Sequence, residues 1–153
     1  ITANTGVEEE FNPNAVFWPL AAGKTIDDPL YFLKELKENV RGWIIFGTGQ
    51  KASYQTILVT KRLFEIEKLL KEGKIGPAIK TVDKGLKHLD EAGVNLEQAR
   101  KEKTPAQINM EINDRLQKMQ KYIDLLQNQA DSEMKQKLLS MNDRIEKLLQ
   151  IIK

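Results

Sequence analysis

The chain has no cysteine, one histidine and few aromatic residues, and each shortage removes a class of function. Without thiolates there can be no disulfide, no iron–sulfur cluster and no cysteine-bound structural zinc. His88 is the single histidine, so two-histidine metal sites and serine–histidine triads have almost nothing to draw on. Long apolar runs are missing too. The densest, Trp43-Ile44-Ile45-Phe46, is far short of the about 20 residues that cross a bilayer, so the given chain is read as not membrane-spanning.

What is present is charge balanced against helical periodicity. Charged residues make up 30% of the 153 and hydrophobic residues 41%, a composition that suits one helix-rich domain. The net charge of +2 is too small to imply a polyanion partner. It is unevenly spread: Glu8, Glu9, Glu10, Asp27 and Asp28 against Lys24 leave residues 1–28 at −4, and the remainder carries +6.

Asp28-Pro29 divides the chain. Before it, Phe11 to Leu20 carries proline and asparagine without helical period, so residues 1–28 read as an extended N-terminal arm packed on the body through Val16, Phe17, Trp18 and Leu20. After it, Asp as N-cap and Pro at the first helical position open a series of amphipathic helices. Their expected spans are about 29–46, 50–72, 77–101, 105–128 and 131–152. In the first, Leu33, Leu36, Val40 and Trp43 or Ile44 make one stripe expected to be buried. Gly47 and Gly73 act as terminators, Pro77 and Thr104-Pro105 as restarts, and Gly93 marks a close approach of a neighbouring helix. Residues 105–152 could form one helix of about 72 Å, which would overhang every partner and leave half its stripe wet. A split near Asn128–Ser132 is preferred. The expected fold is all-α, an antiparallel bundle of four to five helices.

The chemical motifs are weak when weighed against plainer readings. Gly23-Lys24-Thr25 lacks the earlier glycine and the immediate helix of a phosphate loop. His88 with Glu91 permits only an adventitious metal pair, because Gly85 stands where a diiron motif needs glutamate. Asp27 and Asp28 are adjacent rather than opposed across a cleft, as glycosidase carboxylates would be. Ser53, Ser132 and Ser140 lack a nucleophile-elbow context. Lys61-Arg62 and Lys101-Glu102-Lys103 are broken by acids, and read as a solvated surface rather than a nucleic-acid face. Arg62 with Glu65 and Glu67 with Lys71 read as helix-surface pairs. The aromatic group Phe11, Phe17, Trp18, Tyr31, Phe32 and Trp43 is the best candidate for a pocket or partner groove, with Phe17, Trp18, Tyr31 and Trp43 as its surface.

Asp28-Pro29-Leu30-Tyr31-Phe32-Leu33-Lys34, then Glu38, then Thr60-Lys61-Arg62-Leu63-x-Glu65 with Glu67-x-Leu69-Leu70, resembles an uncharacterised bacterial domain family of exported proteins. That family opens a helix with Ser/Asp-Pro-Leu-Tyr-x-x-Lys, matched here by Asp28, Pro29, Leu30, Tyr31 and Lys34, and carries Arg-Leu-x-Glu on the next helix. The resemblance covers roughly Phe17 to Leu139 and implies an all-helical, extracytoplasmic protein, secreted or held at the envelope. It implies no activity. A proline often opens that family's last helix, where this chain has Asp131-Ser132-Glu133.

The expected function is a non-enzymatic extracytoplasmic structural or protein-interaction module, with no catalytic, cofactor or metal residues. Its partner would be another envelope protein or itself, and not nucleic acid. The alternative is a small-ligand or metal-binding cell-envelope protein.

Overall fold

The computed structural model describes residues 10–153, and Glu8 and Glu9 of the acidic arm lie outside the described residues. Those described form six helices and no strand: α1 (Pro13–Val16), α2 (Tyr31–Trp43), α3 (Thr48–Lys71), α4 (Ile75–Lys101), α5 (Ala106–Gln127) and α6 (Ser132–Ile152). The all-helical class matches the sequence expectation.

Four long helices carry the core. The packed pairs are α3 with α4, α4 with α6, α6 with α5 and α5 with α3, a closed ring whose sides enclose the apolar seams. Leu63 and Ile66 of α3, Val82 and Leu89 of α4, Ile112 and Leu116 of α5, and Leu138 and Ile145 of α6 are sealed inside. Ala78, Gly85, Ala92 and Ala99 add a second buried row to α4, one residue in every seven. Small side chains there let its neighbours come close: a Cβ on Gly85 would sit 2.9 Å from Met141 Cε. Gly93 is likewise a point of close approach, its missing Cβ 3.2 Å from Leu148 Cδ2.

Local signals account for most boundaries. Gly47 and Gly73 adopt positive φ, +91° and +71°, which places a left-handed residue at the turns flanking α3. The break between α5 and α6 needs neither glycine nor proline. Asp131 is the N-cap, its carboxylate accepting the Met134 backbone N–H at 2.8 Å. Asp28 acts slightly differently from the expected cap. Its Oδ1 accepts the Leu30 N–H at 2.8 Å, shaping a turn, and α2 starts only at Tyr31.

Two expectations about burial are corrected. The region before α2 is not uniformly extended, because Asn12 caps the single turn α1 with Pro13 at its first position. From it Phe17 is buried, and Val16 and Leu20 lean on the core, but Trp18 is 80% exposed. The larger correction concerns α2. Its stripe of Leu33, Leu36, Val40, Trp43 and Ile44 faces solvent, and the opposite, charged face is buried.

Candidate functional site

Tyr31, Lys34 and Glu38 recur at the three-and-four spacing that puts them on one side of α2. Arg62 and Glu65 stand one turn apart on α3, in line with Leu58 and Leu69 of its buried seam. Arg62 is 1% exposed and Glu65 is fully buried. An uncompensated buried charge costs about 3–5 kcal/mol, more than the about 1.5–3 kcal/mol from burying one leucine. The orientation of α2 follows the charges: its polar side answers Arg62 and Glu65 of α3.

The resulting network closes on itself. Arg62 Nη2 donates to both Glu38 carboxylate oxygens, at 2.7 and 2.8 Å, and Nη1 donates to the Tyr31 hydroxyl at 2.5 Å. The Tyr31 hydroxyl donates in turn to Glu65 Oε2 at 3.4 Å, and Lys34 Nζ donates to Glu65 Oε1. Tyr54 of α3 donates its hydroxyl to the Glu38 carbonyl at 2.9 Å. Only Arg62 Nε in this group is buried without a partner. Burial pushes the Tyr31 phenol up to about 12. Burial and then the Arg62 charge bring Lys34 down to about 8. Each carboxylate oxygen is already engaged by a guanidinium, an ammonium or a phenol, so the chemistry available is that of a clamp holding α2 on α3.

The Arg62–Glu65 pair is therefore not the helix-surface pair that its spacing suggests; Glu67 is also drawn inward, accepting from Tyr122 as well as Lys71. Sequence reasoning missed Glu38, Arg62 and Glu65 as a unit. The available signal was the position of Arg62 and Glu65 within the run Tyr54, Leu58, Leu69, where charge interrupts a seam.

His88 is half-buried, its Nδ1 2.8 Å from Gln55 Oε1 across α3 and α4. Burial lowers its pKa to about 4, with the cations Arg62 and Lys84 acting the same way and Glu35 opposing. The unfolded chain takes up this proton near 6.5 and the folded protein only near 4. Stability is thus full above that window and falls on acidification through it. Urea titrations should show about 2 kcal/mol lost to this group between neutrality and about pH 5, and His88→Gln should remove that share of the loss. An identical pH slope in the variant would contradict the assignment.

The four predicted surface aromatics are not brought together. Phe17 lies in a cluster with Phe11, Phe64 and Tyr122, and Tyr31 lies in the ionic clamp. Trp18 and Trp43 stand in solvent, 80% and 78% exposed. Phe32 and Phe46 are also exposed, so the outer side of α2 and the turn after it display a continuous apolar surface. Beside it, a cleft of about 430 Å³ opens between residues 23–24, α2 and α3, lined by Lys24, Lys34, Lys37, Arg41 and Lys61. Among the described residues no three histidine or carboxylate side chains converge as a metal site would require, and no helix is long and apolar enough to cross a membrane.

No curated protein matches the chain, and no solved structure does. One family model does match, over residues 23–153, a span that takes in Asp28, the whole Tyr31–Arg62–Glu65 clamp, the cleft and the four-helix ring, and leaves out Phe17. The chain belongs to this family, a domain of unknown function (DUF5667).

Proposed function

We propose that this chain is a non-enzymatic, extracytoplasmic helical module that works by protein contact, and that the contact is made by the outer side of α2. The observation that carries this reading is the inverted orientation of that helix. Leu33, Leu36, Val40 and Trp43 have the three-four-three spacing of a coiled-coil seam, yet all four face solvent. Tyr31 and Glu38, opposite that seam, are the positions turned inward. A bundle that holds a helix by its charges leaves its apolar side free for a partner.

The occupant is a second copy of the chain. Phe32, Ile44 and Phe46 widen the seam to seven large exposed side chains. At on the order of 100 Å² each, they approach the about 800 Å² that one side of a standard interface buries. Phe32, Lys37, Asn39 and Ile44 flank the seam, so two such helices lying parallel bring no like charges into opposition. Placement outside the cytoplasm rests on the resemblance to exported bacterial proteins. For the bundle, alternating direction of successive helices is the arrangement we infer. It is supported by Gln120 meeting Glu146 while Asp124 meets Asn142, and α4 and α6 then run the same way, with Asp83–Lys137 and Asp90–Arg144 at one offset.

Light scattering over a broad concentration series tests the reading. The expected result is a dimer mass at the upper end, and a monomer for Leu36→Glu/Val40→Glu with unchanged helical circular dichroism. A monomer of the natural sequence throughout would overturn self-association.

A further inference from the structure

The cleft beside α2 adjoins the proposed pairing seam, sharing Leu33 and Lys37 with it, but its cations are placed by the fold of a single chain. Five of the nine residues lining it are cationic; Lys24 is paired with Asp28 and Lys34 with Glu65, which leaves Lys37, Arg41 and Lys61 facing one lining carboxylate, Glu38. That carboxylate is already held by two hydrogen bonds from Arg62. Lys61 Nζ stays 3.9 Å from it, and among the described residues Lys37 and Arg41 have no carboxylate within ion-pair distance. The cations come from different directions. Lys37 and Arg41 project from α2, Lys61 from α3, and Lys24 from the segment before α2, where its carbonyl accepts from Lys34 Nζ at 3.0 Å.

Such convergence raises the local potential and draws anions. A tetrahedral anion offers oxygens to several sides at once, whereas a planar carboxylate is best met by one fork. Arg41 is already oriented, its guanidinium carbon 5.7 Å from the Tyr54 ring centroid. Leu33 and Tyr54 supply an apolar wall for a carbon skeleton. The volume of about 430 Å³ lies in the range of sites for small organic molecules. We propose that this cleft binds an organic phosphate, its phosphate between Lys37, Arg41 and Lys61 and its carbon part against Leu33 and Tyr54. Burial lowers the pKa of Lys61, which an anion in the cleft would offset.

The shared chemistry, a phosphate ester, occurs in soluble metabolites and in lipid headgroups, and the test separates them. Calorimetry with glucose 6-phosphate and with citrate covers the soluble case. Sedimentation with phosphatidylglycerol vesicles, and with neutral phosphatidylcholine vesicles, covers the lipid case. The variants are Lys37→Ala/Arg41→Ala, both on the exposed flank of α2, and Lys121→Ala on the remote surface of α5 as control. Binding of glucose 6-phosphate, or selective binding of phosphatidylglycerol vesicles, weakened about tenfold or more in the double variant and unchanged in the control supports the site. Circular dichroism of the double variant is expected to match the parent. Four results would overturn the proposal: no phosphate probe bound, binding untouched by the double variant, citrate bound as tightly as the sugar phosphate, or neutral vesicles bound as well as anionic ones.

Discussion

Replacing Arg62 with methionine should lower the unfolding free energy by about 3–5 kcal/mol, the largest effect expected from any single change in the ionic clamp. The side chain is 1% exposed and touches Glu38, Glu65 and Tyr31 together. Without it, Glu38 keeps only Lys61 at 3.9 Å, and the Tyr31 hydroxyl loses its donor. Methionine keeps an apolar stem and drops the charged head, so the loss is dominated by the uncompensated carboxylates. The damage should be local first. In hydrogen exchange the α2 amides should lose protection while the α3–α6 ring retains it, because α2 is fastened mainly by this clamp. Adding Glu38→Leu to Arg62→Met should recover part of the stability, since apolar replacements of buried ion pairs are often neutral or better. A loss under about 1 kcal/mol for the single variant, with α2 still protected, would show that the clamp does not hold the helix.

Phe17→Ala should cost about 3–5 kcal/mol, and Trp18→Ala less than about 0.5 kcal/mol, although the two are neighbours and tryptophan is the larger. Phe17 is 6% exposed and meets Phe64 edge-on, with ring centroids 6.1 Å apart and planes at 84°. Tyr122, fully buried, lies 5.9 Å away by the same measure and donates its hydroxyl to Glu67. Removing the Phe17 ring opens a void beside three other aromatic rings, whereas the Trp18 indole already stands in water. Chemical denaturation of the two variants checks both. Equal effects would mean that the segment before α2 does not contribute to the core through Phe17 alone. Deleting residues 1–28 should reproduce at least the Phe17 loss.

Much of the helical skeleton was legible because it is written in local rules. Gly47, Gly73 and Pro105 bias backbone dihedrals wherever they occur, and their effects reach one or two residues. Seams such as Ile112, Leu116, Met119 and Ile123 bury as their spacing indicates, since a uniformly apolar stripe has no competing demand on its orientation. The break between α5 and α6 has its physical cause in the Asp131 cap, whose carboxylate accepts the Met134 N–H, and no glycine or proline is needed there.

The site was much less legible. Spacing alone put Arg62 and Glu65 side by side on α3, and Tyr31, Lys34 and Glu38 together on α2. It could not say that these two sets meet. It misassigned the inner face of α2 because hydrophobicity was the only criterion applied.

The amino-acid order by itself determined the helical class, the turns and the seams of α3 to α6, because dihedral preference and apolar periodicity act within a few residues. Only the tertiary structure decided which side of α2 is buried. Once packing seals Arg62 and Glu65 inside, Glu38, Tyr31 and Lys34 are turned toward them, and Leu33, Leu36 and Val40 face outward. That choice turns an apolar face and a cationic cleft toward solvent, and both functional readings follow from it.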